Sequence, residues 1–430
     1  MFETPKWMLD WFDRSFKQYQ SNEGIQLNNI IQPKDDFIDY NALPNLNKSA
    51  PKIAMVKLNG GLGTSMGCTG PKSLIPCSNN NDRFLDIIIR NYQASSIADH
   101  LILLNSFNTS DQTISYMNTN YSNISWTEVM QYPFKKINSQ KKLPFEADDL
   151  TYYNPPGHGS VYFDLYYSGC LSKLEKDGIE YLFISNADNL AANCDPKIAS
   201  FMKESNCPFM IELTKKQALD VKGGTIVKSN GQLRLWEIAQ VSPHQMDLFQ
   251  NQPYFNTNNI WVNVHELIET IASGELTLDL ILNKKNLHGK PVIQLEYAMG
   301  SAVQSFEGSQ AIIVPRKRFF PIKNTSDLLL LKSDYASINN GEVSWDSESP
   351  VAIQLAPPFN TMDGFNQYFK CIPSIKSVKQ LRLSGPIFFN HAISFEGNVS
   401  LYTPENKPAC INPAIDIIDE TNCNNALIFI

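Results

Sequence analysis

The amino-acid sequence predicts an α/β protein in which a Rossmann-like, mostly parallel mixed sheet is flanked by helices and a β-rich domain follows at the C-terminus. Three observations carry this. From residue 51 onward, short apolar runs alternate with segments of helical character. Two of those runs end directly in glycine-rich or polar turns, the place where open α/β sheets bind ligands. After about residue 350 the texture changes to short β-rich runs divided by turn residues. The 430 residues, 43% of them hydrophobic and 11% aromatic, suffice for more than one domain. The divisions read from the sequence are an N-terminal helix with its connecting segment (1–50), a main domain (51–345) and a C-terminal domain (346–430).

The first element is the amphipathic stretch MFETPKWMLDWFDRSFKQY, which mixes acidic with basic residues and reads as a docking helix. Residues 22–50, polar and rich in Asn and Pro, read as an extended connection. Residues 53–58 are a strand, 84–93 a helix and 101–105 the next strand, after which Thr109, Ser110 and Asp111 offer helix caps. Residues 126–131 are a strand and 160–176 one long helix. The apolar run 181–185 is a buried strand that enters Asn186, Ala187, Asp188 and Asn189. Residues 224–228 and 232–238, joined through Asn230-Gly231, predict a hairpin on one edge. Further strands cover 255–262, 292–296 and the run from Ala311, and a Leu-rich helix begins at Ser326-Asp327. Beyond 350, SVKQLRLSG and IFFNHAISFEGNVSLY show no helical period and suggest a β-roll or a left-handed β-helix.

Composition excludes several classes. A net charge of −7 leaves no basic field for nucleic acid. No run of about 18 apolar residues exists to span a membrane, and the N-terminus lacks the order of a signal peptide. The eight cysteines form no C-x-x-C pair and no zinc spacing, and the six histidines are scattered. Reduced thiols and a cytoplasmic location are expected.

The densest signal is MVKLNGGLGTSMGCTGPKS at 55–73, where Gly60, Gly61, Gly63 and Gly67 fall within eight residues and Gly70-Pro71 precedes Lys72. Such a loop bares backbone N–H groups to phosphate or a base edge, and the lysine adds a cation for the same anion. It is not a P-loop, because proline stands before the lysine. It is not a dinucleotide fingerprint, because the glycine spacing is one residue too long. Asp188, a carboxylate just beyond a buried strand, suits a Mg²⁺ that keeps several waters and bridges phosphate oxygens.

With these residues in view, the chain resembles the eukaryotic-type UTP–glucose-1-phosphate uridylyltransferases (UDP-glucose pyrophosphorylases) through motifs in family order over roughly residues 50–335. The resemblance implies a nucleotide-diphospho-sugar transferase fold, UTP and glucose 1-phosphate as substrates, Mg²⁺ as cofactor, and UDP-glucose and pyrophosphate as products. It implies that Leu58, Asn59, Gly60 and Gly61 hold uracil and ribose, and that Lys72 meets the phosphates. Gln131 matches a glutamine that hydrogen-bonds uracil, although its flanks depart from the family's Q-x-x-x-P-R-I spacing. In Pro155-Pro156-Gly157-His158-Gly159, Gly157 lets the base edge approach and His158 faces the sugar phosphate. Asn186, Ala187 and Asp188 face the sugar phosphate, and Asp188 also meets UTP and serves as metal ligand. Val221-Lys222-Gly223-Gly224 and Trp236-Glu237-Ile238-Ala239-Gln240 match a pair that presents backbone at Gly223 and a carboxylate at Glu237 to glucose hydroxyls. Either Asn256 or Asn258 contacts the sugar. Phe319-Phe320-Pro321-Ile322-Lys323 and Thr325-Ser326-Asp327 supply the second phosphate-facing lysine, Lys323, which with Lys72 forms the catalytic pair. The nearby Arg316-Lys317-Arg318 run would pass for a solvated charge patch.

Because in-line attack of the sugar phosphate on the α-phosphorus needs positioning and charge neutralisation, no covalent nucleophile is required. Two other readings fit the same fold: a broad-specificity UDP-sugar or UDP-N-acetylhexosamine pyrophosphorylase, and a non-catalytic sugar-nucleotide binder. A homo-oligomer through the C-terminal domain is a further expectation. Cys68, inside the glycine loop, is a candidate for oxidation that blocks UTP.

Overall fold

The computed structural model describes residues 3–21, 27, 30–31, 36–44, 50–146, 149–217, 220, 223–346, 351–423 and 426–429. Most of the expected 22–50 connection, and Val221 and Lys222, lie outside these residues. The chain divides into two compact units, neither continuous in sequence. One comprises Met1–Gly60, Ser95–Asn186 and Cys194–Pro315; the other comprises Gly61–Ala94, Ala187–Asn193 and Arg316–Ile430.

The first unit is built on an eight-stranded sheet. Its strands in chain order are β1 (Ile38–Asp39), β2 (Ile53–Asn59), β3 (Ala98–Ser106), β4 (Trp126–Gln131), β5 (Tyr181–Asn186), β6 (Phe209–Lys215), β7 (Tyr254–Asn263) and β8 (Gln310–Ile313). They lie in the order β1-β8-β6-β7-β5-β2-β3-β4. Every pairing is parallel except the two made by β7. Central parallel strands are covered on both faces, which is why β2 and β5 open on continuous apolar runs, 53–56 and 181–184. Ala54, Val56, Leu182 and Ile184 lie wholly inside one cluster with Ile102, Ile211 and Ile260.

The N-terminal helix Lys6–Gln20 docks as expected, sinking Met8, Trp11 and Phe12 among Phe134, Ile137, Leu295 and Tyr297. Trp11 stacks on the Tyr297 ring at 4.9 Å, and Ser15 Oγ and the Tyr297 hydroxyl hydrogen-bond at 2.7 Å.

Two expectations for this unit are corrected, and a third is borne out with a longer span. The single helix at 160–176 is two, Val161–Tyr167 and Cys170–Lys176, because Gly169 at φ +78° ends the first and caps the second. The hairpin Gly224–Ser229/Gln232–Glu237 turns through Asn230 and Gly231, both at positive φ, but it belongs to a separate three-stranded sheet with Ile30–Ile31. The strand expected at 292–296 extends over Lys290–Tyr297 and pairs with Leu280–Leu287, outside the main sheet.

The second unit contains the glycine loop, the helix Phe84–Ala94, the helix Thr325–Lys332 and the C-terminal strands. Ala352–Leu355, Ser374–Ser384, Ser394–Tyr402 and Ile417–Ile418 pair in succession, all parallel. A second set, Ile387–Phe388 on Ala409–Ile411, is also parallel. Strands stacked this way, turn after turn, are the pattern of a β-helix-like coil. Its inside is lined by Ile375, Leu381, Phe395 and Val399, and Phe389 stacks on Phe369 while meeting Phe395 edge to face.

Two further differences appear in this unit. Met362–Tyr368 is a helix within the segment expected to have none, started by Thr361, whose Oγ1 accepts from Gly364 N at 3.2 Å. At seven residues it is too short to show a period. The Leu-rich helix begins one residue early, at Thr325, because Asn324 rather than Ser326 is its cap. No helix among the described residues is long and apolar enough to cross a membrane.

Candidate active site

In the second unit, the glycine loop folds back on itself. Lys72 N donates to Gly61 O at 3.0 Å and Gly63 N to Gly70 O at 3.2 Å. This closure sets Lys72 on a short helical turn, with Nζ donating to Asp188 Oδ2 at 2.8 Å. Lys323 Nζ reaches the same carboxylate at 3.1 Å. The three residues singled out in motifs far apart in sequence are therefore one cluster: lysine, aspartate, lysine.

Burial alone would raise the Asp188 carboxyl, but Lys323 and Lys72 together outweigh it and hold it at about 2. Asp188 is ionised at neutral pH. Lys72 is mostly enclosed, its side chain 15% exposed, whereas Lys323 is 54% exposed.

Why these side chains meet depends on residues the sequence reading did not single out. Asn189, 1% exposed, accepts from Phe320 N at 2.9 Å and donates to Arg318 O at 3.4 Å. Ile322 N donates to Asp188 O at 2.9 Å. Ser65 Oγ, from the glycine loop, donates to Lys323 O at 2.9 Å. The turn after β5 and the segment 318–323 are thus zipped backbone to backbone. Arg318 is no solvated patch: it is 5% exposed and its guanidinium donates to Asn193 Oδ1 and O. The signal was available in Asn189, a buried amide directly after the metal candidate, and in the arginine beside a double phenylalanine. Ala187 is buried beside Asp188. Cys68 is half-buried, and burial followed by the Asp363 charge pushes its thiol up, away from the reactive thiolate.

In the first unit, the carboxyl ends of β2, β4 and β5 hold Leu58, Asn59, Gly60, Gln131 and Asn186. Leu58 is half-buried against the sheet core and pairs with Asn186 across β5. The Asn59 side chain points into the protein: its amide donates to Asn105 Oδ1 at 2.8 Å and Thr113 Oγ1 at 3.0 Å. What Asn59 offers a ligand is its backbone. The Gly60 carbonyl accepts from Ser106 Oγ at 2.8 Å, and a Cβ on Gly60 would stand 2.9 Å from Gln131 Oε1. Gln131 ends β4, and its Nε2 donates to Gly157 O at 2.8 Å and Ser160 Oγ at 2.7 Å. Gly60, Gln131 and Gly157 are thereby brought together.

Gly157 needs to be glycine on two counts: φ is +81°, and a Cβ would lie 2.6 Å from Tyr297 O. His158 follows, its Nδ1 accepting from Met299 N at 2.9 Å, which places the ring hydrogen on Nε2.

A further group lies on the hairpin and on β7. Gly223 O accepts from Ile238 N at 3.2 Å, and Glu237 opens the turn after the hairpin. Burial pushes the Glu237 carboxyl up to about 7. Asn256 and Asn258 sit at an irregularity in the β6–β7 ladder, with Asn258 at φ +57°. Asn256 is 3% exposed and fully engaged with its neighbour: Nδ2 donates to Asn258 Oδ1 at 2.9 Å and Oδ1 accepts from Asn258 N at 3.0 Å. Asn258 is the more accessible of the two.

Among the described residues no group of three or more His, Cys, Asp or Glu side chains could hold a metal ion unaided. A single ionised carboxylate suits only a metal completed by water and by ligand phosphates, which is the habit of Mg²⁺.

Comparison with known proteins gives a consistent result. The sequence profile of the UTP–glucose-1-phosphate uridylyltransferase family matches residues 8–396. The chain is 36% identical to a UTP–glucose-1-phosphate uridylyltransferase of Encephalitozoon cuniculi, with 94% of this chain and 85% of that one covered. The protein of the same name from Saccharomyces cerevisiae is 37% identical, with 91% and 83% covered. Among solved structures, a mutant UDP-glucose pyrophosphorylase from Leishmania major in complex with UDP-glucose superposes with a TM-score of 0.88 at 28% identity, covering 97% of this chain and 95% of that one.

Proposed function

The chain belongs to the UTP–glucose-1-phosphate uridylyltransferase family, and from that premise we infer how its residues make UDP-glucose and pyrophosphate from UTP and glucose 1-phosphate. One observation carries the assignment of parts: Lys72 and Lys323 converge on Asp188. Two lysines held by one carboxylate form a compact cationic pair with an exchangeable counter-ion. Phosphate oxygens compete for the same N–H donors, so an arriving triphosphate takes over the lysines and frees the Asp188 oxygens. Lys72, enclosed and fixed by the loop, binds phosphate in the ground state. Lys323, half-exposed and less enclosed, follows the charge that builds as the sugar-phosphate oxygen attacks the α-phosphorus and pyrophosphate leaves. Proton transfer is not required, because the attacking phosphate oxygen is already anionic.

The cofactor proposed is Mg²⁺. Asp188 would hold it, and when bound it would neutralise phosphate charge and so favour departure of pyrophosphate. Gln131, Gly60 and Gly157 are proposed to receive uracil; Leu58, Asn59 and Gly61 contribute backbone to the base and ribose. His158, Asn186 and Ala187 are proposed to face the sugar phosphate. Gly223, Glu237 and Asn258 are proposed for the glucose hydroxyls, with Asn256 orienting Asn258. A cytoplasmic location accords with eight free cysteines. A homo-oligomer through the C-terminal strands is proposed on the exposed Tyr402, Ile417 and Phe429, and light scattering reads it directly.

The test is substrate profiling of the purified protein. UDP-glucose and pyrophosphate should form in equal amounts from UTP and glucose 1-phosphate, should require added Mg²⁺, and should form far more slowly with N-acetylglucosamine 1-phosphate. Full turnover in the presence of a chelator would remove the Mg²⁺ proposal.

A further inference from the structure

Gln131 carries an amide whose two ends differ in what they can do: the NH₂ donates and the oxygen accepts. Which end faces a ligand decides which base can pair with it. In this protein the amide is 5% exposed, and the NH₂ end is turned inward to two partners, Gly157 O at 2.8 Å and Ser160 Oγ at 2.7 Å. The first is a carbonyl and can only accept. The second is a hydroxyl, wholly buried, whose own hydrogen is directed at Gly157 O at 3.3 Å, so that a lone pair faces Gln131. Burial pushes the Asp164 carboxyl, one helical turn further on, well above its usual range, and a hydrogen bond from Ser160 works against that; with the hydroxyl hydrogen on either acceptor, a lone pair is left for Gln131. Reversing the amide would set its oxygen against the Gly157 carbonyl, losing that hydrogen bond, and would pull the Ser160 hydroxyl hydrogen away from Gly157 O to meet the reversed oxygen. Oε1 is therefore held toward the Gly60 backbone, where a Cβ on that glycine would come within 2.9 Å of it.

We propose that Ser160, acting with the Gly157 carbonyl, is a positioning residue that fixes Gln131 as an acceptor and so makes the enzyme select UTP over CTP. Uracil presents a hydrogen at N3, which an acceptor receives. Cytosine presents a bare N3 lone pair, which an acceptor repels. The inference rests on the reading above that Gln131 meets the base. It goes further by assigning the choice of base to a serine that touches no substrate.

The experiment measures kcat/KM with UTP and with CTP for the wild type, Ser160→Ala, Ser160→Thr and Gln131→Ala. The wild type should prefer UTP by 10² or more, since an unpaired polar contact in a buried site is heavily penalised. Ser160→Ala leaves one inward partner of two, so the UTP/CTP ratio should fall about tenfold, mainly through KM. Ser160→Thr keeps the hydroxyl and should restore most of the ratio. A folded Ser160→Ala protein with the wild-type ratio overturns the proposal, as does a wild type that uses CTP as readily as UTP. If Gln131→Ala also keeps the ratio, the base contact itself is wrong. If Gln131→Ala abolishes the ratio and Ser160→Ala does not touch it, only the role of Ser160 falls.

Discussion

Replacing Asp188 by asparagine removes the charge that holds Lys72 and Lys323 together, and the structure sets the size of the effect. In the folded protein the carboxyl titrates at about 2, against an ordinary value of 3.8. That difference corresponds to about 2.5 kcal/mol of net preference for the ionised form, the attraction of the two cations less the penalty of burial. Lys323 is half-exposed and its share is screened, so about 1–2 kcal/mol is the expected loss on Asp188→Asn at neutral pH. The pH dependence has a definite sign. A lowered folded value means that the stabilisation is fully present above about 3.8, and is lost as pH falls toward about 2. Urea unfolding of both proteins should thus show the gap at pH 7, unchanged at pH 5 and about halved near pH 3. Equal stability at pH 7, or a gap that does not shrink in acid, would refute the electrostatic account of this cluster.

Other expectations concern the neighbouring groups. Gly157→Ala places a Cβ at φ +81° and 2.6 Å from Tyr297 O, so it should cost about 2–4 kcal/mol in unfolding experiments and raise KM for UTP. Asn189→Ala unzips the Asp188 turn from Phe320, and should lower kcat while thermal unfolding shows a loss of about 1–3 kcal/mol. Glu237, raised to about 7 by burial, is protonated below that pH and a carboxylate above it. Sugar hydroxyls donate to the carboxylate, so KM for glucose 1-phosphate should fall as pH rises through 7, and Glu237→Gln should flatten that part of the profile. The raised value also makes stability decline as pH climbs from 4.5 to about 7, a component missing in the same variant.

Much of this was legible in the chain because the signals were local. β2 and β5 announced themselves as apolar runs, and the turns that follow them sit where ligands of open sheets are bound. The glycine loop and Lys72 were found from spacing alone, and Asp188 from its place after a strand. What was hidden depends on contacts distant in sequence. That the Asn59 side chain faces inward is decided by Asn105 and Thr113, 46 and 54 residues away. Arg318 looked like one of three solvated cations until Asn193, 125 residues earlier, took up its guanidinium. The break at Gly169 was visible as a glycine, but a helical period that resumes on its far side concealed it. Ser160 carried no signal, since a serine at the start of a helix reads as an ordinary cap.

The division of labour between the two lysines is tested most directly by Lys323→Ala, followed by pyrophosphate release from UTP and glucose 1-phosphate. Its side chain is 54% exposed, so thermal unfolding should move by less than about 1 kcal/mol and loss of fold will not confuse the result. The account predicts a kcat about 10²–10³ lower, with KM for UTP little changed because Lys72 still binds the phosphates. Wild-type turnover in a folded Lys323→Ala protein would contradict it.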